Sequence, residues 1–192
     1  PSDTLRREFG DIDIYLFDQL LKGRIRPGDR VLDAGCGSGR NLIYLLQNGI
    51  DAWAVDSNPH AIVEVRELAA RLSPSTPRDR FIVSPLDRMG FPDASFNVVI
   101  CSAVLHFAAD DAAFHAMIAG LWRVLAPGGI LFARLATSIG MEHRAQPLGN
   151  RRFALPDGSE RYLADEPMLM SLTETLGGKL LDPLKTTIVQ DQ

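Results

Sequence analysis

The amino-acid sequence predicts an α/β fold, a three-layer, doubly wound and mostly parallel sheet with helices on both faces. Through residue 135, short β-like runs alternate with segments of helical spacing, which is the pattern of repeated strand–helix–strand units. Three glycines within residues 35–39 follow the first of these runs. The 192 residues, 46% of them hydrophobic, suffice for one core, so one domain is expected over residues 1–192.

Turn and capping residues justify the elements in order. Pro27 and Gly28 form a turn before the first strand, and Asn48 with Gly49 ends the helix that follows it. Asn58 is suited to cap the next helix, with Pro59 in its first turn. The predicted strands are 31–34, 52–55, 81–83, 96–101 and 130–135, and the predicted helices are 12–21, 41–47, 59–72 and 110–125.

The last third of the chain has a weaker pattern. Residues 136–164 lose the periodicity and collect Gly, Pro and Arg, which predicts a long irregular insertion of the kind that is commonly functional. Residues 166–176 resume helical spacing, and residues 179–189 are compatible with a final strand.

Composition narrows the class of protein. Two cysteines, Cys36 and Cys101, cannot form a disulfide framework, and no Cys/His cluster indicates a metal site, so a reducing, cytoplasmic location is expected. The longest apolar runs fall far short of the roughly 20 residues of a membrane span. A net charge of −4 disfavours a nucleic-acid partner, which requires clustered cations, and favours a small-molecule substrate.

The most informative segment lies between the first strand and its helix. Gly35, Gly37 and Gly39 allow a ligand to approach the backbone at the carboxyl end of the strand. Asp56 ends the second strand, 21 residues after Gly35, where it can accept hydrogen bonds from ribose hydroxyls. The dinucleotide fingerprint GxGxxG would need a third glycine at the position of Arg40, so the spacing is GxGxG instead.

Together with LDAGCGSG, the sequences AVDSNP, FPDASFNVVI and the Pro-Gly-Gly at 127–129 resemble the class I S-adenosylmethionine-dependent methyltransferases over about residues 28–135. Residues 37–41 further resemble the tellurite-resistance branch of small-molecule enzymes. The resemblance implies a Rossmann-like sheet of about seven strands that closes with an antiparallel hairpin. Because three residues follow position 189, the last strand is expected to be missing from this chain.

The resemblance also implies residue roles. The three glycines would lie against the methionine portion of S-adenosylmethionine, Asp33 would organise contacts to its amino group, and Asp56 would hold the ribose. Leu86 would offer its backbone N–H to the adenine, and Asp87 could replace the usual acid, because Pro85 stands where that acid is common. Asn97 likewise replaces an Asp, which is expected to be a structural change. The cofactor-binding set is completed by Cys36, Asn41, Ser57 and Cys101.

Methyl transfer from a sulfonium is an in-line displacement, so the protein contributes proximity, alignment and, for a protonated nucleophile, a base. His106, just past the fourth strand, is the candidate base, and a structural or solvent-facing histidine is the alternative. Local arginines in and beside the insertion would suit an anionic acceptor if several converge, whereas a solvated loop with scattered arginines is the favoured alternative. These arginines are Arg134, Arg144, Arg151, Arg152 and Arg161.

The sequence thus predicts an enzyme that transfers a methyl group from S-adenosylmethionine to a small-molecule acceptor and releases S-adenosylhomocysteine. Residues 136–164 are expected to cover the acceptor site. Two alternatives remain open. One is a non-catalytic module that binds S-adenosylmethionine or a nucleoside, and the other is an NAD-dependent oxidoreductase, which Arg40 disfavours. The identity of the acceptor and the oligomeric state are not encoded in these motifs.

Overall fold

A computed structural model describes residues 2–141 and 144–187 of the chain. Contacts within the chain divide it into two compact units. The first comprises Pro1–Val104 with Ala116–Arg134, and the second comprises Leu105–His115 with Leu135–Gln192. The organisation of residues 1–192 as one domain stays a prediction.

The first unit contains a five-stranded sheet in which every neighbouring pair is parallel, which confirms the predicted α/β class. The strand order is β3-β2-β1-β4-β5. About seven strands were expected, so the large sheet in the described residues is two strands smaller. The strands are β1 (Arg30–Ala34), β2 (Asp51–Asp56), β3 (Phe81–Val83), β4 (Phe96–Ser102) and β5 (Leu125–Arg134).

Six α-helices accompany the strands in the described residues: α1 (Ser2–Phe9), α2 (Ile14–Leu21), α3 (Ile43–Gln47), α4 (Pro59–Leu72), α5 (Asp111–Val124) and α6 (Glu166–Thr175). Helix α1 was not predicted. The predicted cap of α4 is confirmed, because the Asn58 side chain accepts a hydrogen bond from the backbone N–H of His60 at 3.0 Å. Apolar side chains of α2, α3 and α4, such as Leu16, Leu45 and Ile62, pack in one core with Val31 of β1 and Ile100 of β4.

The second unit corrects the prediction of an irregular insertion. Three short strands form an antiparallel sheet in the order β6-β7-β8: β6 (Gln146–Gly149), β7 (Arg152–Ala154) and β8 (Glu160–Tyr162). Strand β6 is exposed along its whole length, and Tyr162 is the buried residue of β8. With so few buried positions, the strands lack the alternation of apolar and polar residues by which a sequence reveals a strand.

The final strand predicted at residues 179–189 is wrong for its described part, because residues 179–187 form no strand. Residues 188 and 189 lie outside the described residues, as does His143, to which the sequence assigned no role. Among the described residues, no helix combines the length and the apolar character needed to cross a bilayer.

Candidate functional site

The site is defined by the point at which the strand order reverses. From β1 the chain continues to β2 and β3 on one side, whereas β4 and β5 lie on the other. Ligands of open parallel sheets bind at the carboxyl ends of the strands beside such a reversal. Here the loop after β1 carries the three glycines, and Cys101 and Ser102 end β4.

The glycine loop needs glycine at Gly35 and leaves space at Gly37. Gly35 has φ of +80°, and a Cβ atom there would clash with the side chain of Val104. Gly37 has φ of +52°, and a Cβ atom would meet nothing within 4 Å. The backbone N–H of Gly35 donates to the carbonyl of Val55 at 2.8 Å, which anchors the loop to β2. The backbone at Gly37 is therefore open to a ligand.

Asp56 is held by the loop that it was predicted to face. Its Oδ2 accepts the backbone N–H of Gly37 at 2.9 Å, and its Oδ1 accepts the backbone N–H of Asn58 at 2.9 Å. Each carboxylate oxygen keeps a further lone pair for a ligand hydroxyl. Ser57, also predicted to contact the cofactor, is exposed beside it.

The carboxyl group of Asp33 is buried without a partner. Asp33 lies in β1 and is 1% exposed, and neither of its carboxyl oxygens has a hydrogen-bond partner among the described residues. Burial raises the pKa of this carboxyl from 3.8 to about 7, the nearby Arg40 lowers it, and Asp56 raises it further. A buried polar group without a partner is rare and costly in native proteins, so Asp33 fits a ligand that brings a donor such as an ammonium group.

The predicted adenine segment forms a tight turn after β3. The backbone N–H of Ser84 donates to the carbonyl of Asp56 at 2.9 Å, and residues Leu86–Arg88 form a 3₁₀ turn. Leu86 is buried, and its carbonyl oxygen lies where a side chain at Gly120 would stand, so this contact requires glycine. Asp87 pairs with its neighbour Arg88 at 3.3 Å. The adenine roles of Leu86 and Asp87 stay predictions.

The two cysteines lie close to these motifs and form no disulfide. Cys36 is 6% exposed, and burial, followed by the charges of Asp33 and Asp56, raises the pKa of its thiol. The thiol therefore stays protonated at neutral pH, which argues against a thiolate role. Cys101 is fully buried, opposite Ala133 of β5, and its cofactor contact stays a prediction.

Sequence reasoning missed Asp13, whose carboxylate is buried in the same unit. Asp13 Oδ1 accepts the backbone N–H of Tyr15 and caps α2, and its own N–H donates to Asn41 Oδ1 at 3.1 Å. The Oδ1 of Asn41 is thus engaged with Asp13, and the predicted cofactor contact of Asn41 stays a prediction. Apart from residues of α2, such as Tyr15, the partners of Asp13 lie 27 or more residues away along the chain, so local patterns carry no signal for this cluster.

Asn97 has a structural role, as expected. Its Oδ1 accepts the backbone N–H of Arg30 at 2.8 Å, which ties the start of β1 to the start of β4. This contact lies at the amino ends of the strands, opposite the edge where ligands bind.

His106 belongs to the second unit. Its Nδ1 accepts the backbone N–H of Ala136 at 3.3 Å, and its ring packs against Phe107 with centroids 4.6 Å apart. Because a backbone N–H can only donate, Nδ1 is the acceptor, and the proton of the neutral ring lies on Nε2. This arrangement favours the structural alternative over a base, and the catalytic role stays a prediction.

Most of the arginines that suggested an anionic acceptor are paired within the second unit. Arg151 forms a salt bridge with Asp165 at 2.6 Å, and Arg152 forms one with Glu160 at 2.9 Å. Arg161 lies over the ring of Phe107, 4.7 Å from its centroid. Arg134 is the member of this set that belongs to the first unit.

The fold and the loop define a class of protein, an α/β domain that binds a ligand at a glycine loop. A family model described as "Methyltransferase domain" matches residues 31–129, more than half of the chain. The chain therefore belongs to this methyltransferase family, and the resemblance to class I S-adenosylmethionine-dependent methyltransferases is confirmed.

Individual proteins agree with the family assignment. An uncharacterized methyltransferase of Synechocystis sp. is 32% identical over 106 residues, which cover 55% of this chain and 46% of that protein. Malonyl-[acyl-carrier protein] O-methyltransferase of Serratia marcescens is 30% identical over 118 residues, 61% of this chain and 42% of that protein. The chain thus spans less than half the length of these two relatives.

Among solved structures, a S-adenosylmethionine-dependent methyltransferase of Methanosarcina mazei is 25% identical. It superimposes with a TM-score of 0.66 and covers 82% of each chain. The likeness therefore extends over most of both chains.

Proposed function

We propose that this protein transfers a methyl group from S-adenosylmethionine to a small-molecule acceptor and releases S-adenosylhomocysteine. The observation that carries the proposal is the buried, unpartnered carboxyl of Asp33 beside the glycine loop, in a chain of the methyltransferase family. When bound, S-adenosylmethionine supplies a methyl group on a sulfonium sulfur for direct displacement.

The residues of the first unit have complementary roles in this proposal. Asp33 accepts a hydrogen bond from the ammonium group of the cofactor, and the open backbone at Gly37 lies against the methionine portion of the cofactor. Asp56 accepts hydrogen bonds from the ribose hydroxyls. The two hydrogen bonds that Asp56 receives from backbone N–H groups fix its carboxylate before the ligand arrives. Binding then costs little reorganisation of this edge.

A small-molecule acceptor is supported by the relatives and by charge. The Serratia marcescens relative is named for methylating a malonyl group on its carrier protein. The net charge of −4 disfavours a nucleic-acid acceptor, and two unoxidised thiols favour the cytoplasm. We propose further that residues 136–164 cover the acceptor site. Membership of the tellurite-resistance branch of small-molecule enzymes is part of the same proposal.

Calorimetry with S-adenosylmethionine, S-adenosylhomocysteine and NAD tests the cofactor. We expect the two adenosyl compounds to bind. NAD should not bind, since Arg40 replaces the third glycine of the dinucleotide fingerprint. Binding of NAD in preference to both adenosyl compounds would establish the oxidoreductase alternative. An acceptor screen that detects S-adenosylhomocysteine release then tests the transfer.

The second candidate is a module that binds the cofactor without transferring its methyl group. This candidate is favoured by the environment of His106, because its Nδ1 already accepts a hydrogen bond from a backbone N–H. No other residue has been assigned as the base. The screen separates the two candidates. Tight binding of S-adenosylmethionine without turnover over a broad panel of oxygen, nitrogen and sulfur nucleophiles would support the binding module.

A further inference from the structure

The buried carboxylate of Asp13 holds two arginines at the carboxyl edge of the sheet in the first unit. The Asp13 side chain is 1% exposed, and its Oδ2 lies 3.2 Å from Nη1 of Arg134 and 3.5 Å from Nη2 of Arg40. The hydroxyl of Ser102 donates to the same oxygen at 2.9 Å and accepts Nη2 of Arg40 at 3.2 Å. Four side chains therefore form one hydrogen-bonded cluster.

The cluster contains more positive charge than is required to neutralise the carboxylate of Asp13. One guanidinium would balance one buried carboxylate, yet two are present. Asp33 also interacts with Arg40, but burial raises the pKa of Asp33 to about 7, so it carries only part of a charge at neutral pH. The surplus cation has no full counter-charge in the cluster.

Both guanidinium groups retain donors that can face a ligand. Over the described part of the chain, the contacts of Arg40 use Nη2 and those of Arg134 use Nη1. Their side chains are 38% and 27% exposed. A guanidinium has five N–H donors in a planar fork that matches the two oxygens of a carboxylate, so each arginine can bind Asp13 and a second anion together.

The pair lies on the side of the sheet away from the proposed nucleoside contacts. Asp56 ends β2 and Leu86 follows β3, whereas Ser102 and Arg134 end the neighbouring strands β4 and β5 in register with each other. Strands are about 4.8 Å apart, so Arg134 stands roughly 10 Å along the sheet from β1. This position suits a second molecule better than the cofactor itself.

We propose that Arg40 and Arg134, positioned by Asp13, form a subsite for a carboxylate group of the methyl acceptor. The proposal rests on the proposed methyl transfer, because it names the chemical class of the acceptor. Arg40 and Arg134 bind the carboxylate, and Asp13 is a positioning residue that aligns their forks.

The test compares small carboxylates with their neutral amides. Benzoate and benzamide, and butyrate and butyramide, are titrated into protein saturated with S-adenosylhomocysteine and followed by ligand-observed NMR. We expect the wild-type protein to bind each carboxylate about tenfold or more tightly than its amide, as expected for charge-assisted hydrogen bonds. No preference for the carboxylates would overturn the proposal without any variant being made.

Variants then assign the effect to the pair. Arg134→Gln and Arg40→Gln should each lose the preference for carboxylates, and Arg134→Lys, which keeps the charge beside Asp13 but not the fork, should lose part of it. Arg71→Gln removes the same charge from an exposed position of α4 and should bind like the wild type. If Arg71→Gln and Arg134→Gln changed the preference for carboxylates equally, the preference would come from the net charge of the protein. This result would refute the subsite.

A second titration separates the acceptor from the cofactor. S-Adenosylhomocysteine carries a carboxylate of its own, whereas 5′-methylthioadenosine has none. If Arg134→Gln weakens binding of the first about tenfold and leaves the second unchanged, the pair belongs to the cofactor and the assignment to the acceptor is overturned. If neither adenosyl compound binds the wild type, the proposed function fails, while the carboxylate titration of the ligand-free protein still reports on the arginines.

Discussion

The backbone N–H of Gly37 donates a 2.9 Å hydrogen bond to Oδ2 of Asp56, which joins the loop after β1 to the last residue of β2. The two residues are 19 positions apart. Since the other carboxylate oxygen accepts the N–H of Asn58, the side chain of Asp56 is fixed in one orientation. The glycine loop and Asp56, the proposed acceptor for the ribose hydroxyls, are thus joined by hydrogen bonds into one arrangement.

Asp56→Ala should weaken binding of S-adenosylhomocysteine by roughly 10- to 100-fold, because it removes the charged acceptor for the ribose hydroxyls and frees the N–H of Gly37. Calorimetry measures the affinity. Asp79→Ala, at an exposed residue of the turn before β3, is the matched control and should bind normally. Unchanged affinity in Asp56→Ala would refute the ribose assignment.

Binding of S-adenosylhomocysteine should strengthen as the pH rises from 6 toward 8. The carboxyl of Asp33 has a pKa of about 7 in the ligand-free protein, so it is largely protonated at pH 6, and an ammonium group binds its ionised form. Below pH 7 the affinity should change by up to about tenfold per pH unit. Calorimetry at several pH values, in buffers of different ionisation enthalpy, should show one proton released at low pH.

The Asp33→Asn variant is the control for this pH dependence, and it should bind weakly with a flat profile. Its ligand-free stability provides a second readout. Because the folded-state pKa of Asp33 lies above its ordinary value, folding favours the protonated carboxyl, and the contribution of Asp33 to wild-type stability falls as the pH rises from about 4 to about 7. Thermal unfolding of Asp33→Asn should lack this decline. An equally steep decline in the variant would contradict the assigned pKa.

The first four strands and the cap of α4 were predictable because their signals are local. Strand β1 is buried over four successive residues, and Asn58 with Pro59 starts α4 within two positions. Strand β5 shows the limit of such signals. Residues 127–129 were predicted to separate a helix from a strand that begins at residue 130, but the strand begins at Leu125, and its register with β4 shifts there.

The cluster around Asp13 could not be predicted from the sequence, because its contacts are not local. Its contacts to Ser102 and Arg134 span 89 and 121 residues, and only the parallel sheet order brings them together. The glycine loop was recognisable from spacing, whereas the partnerless state of Asp33 depends on burial that no local pattern encodes. Sequence motifs therefore indicated the proposed cofactor side, whereas the arginine pair became visible only in the packing.

Gly35→Ala and Gly37→Ala should separate folding from binding. A Cβ at Gly35 would clash with Val104, and φ is +80°, so this variant should lower the melting temperature by several degrees. A Cβ at Gly37 enters open space and costs only the positive φ, so the fold should largely persist while the methyl group obstructs the ligand. Thermal unfolding and calorimetry on both variants measure the two effects. Normal ligand affinity in Gly37→Ala would exclude contact at this position.

His106→Gln should retain activity within about tenfold if the ring has a structural role. Nδ1 accepts the backbone N–H of Ala136, so a proton taken up at Nδ1 would break this hydrogen bond, and Nε2 already carries the proton of the neutral ring. A general base would instead be worth about 100- to 10,000-fold in rate, and its loss would remove the acidic limb of the pH–rate profile. The rate is read as S-adenosylhomocysteine release with an acceptor found in the screen.

His115→Gln is the matched control for this change. His115 lies in the same unit on the exposed side of α5, and its Nδ1 contacts the carbonyl of Asp111 at 2.7 Å. Nitrogen-15 NMR of the imidazole rings supplies a readout that needs no acceptor: Nδ1 of His106 should appear unprotonated at pH 8. A loss of more than 100-fold in His106→Gln alone, with a flattened acidic limb, would restore His106 as the base and show that its hydrogen bond to Ala136 is exchanged during turnover.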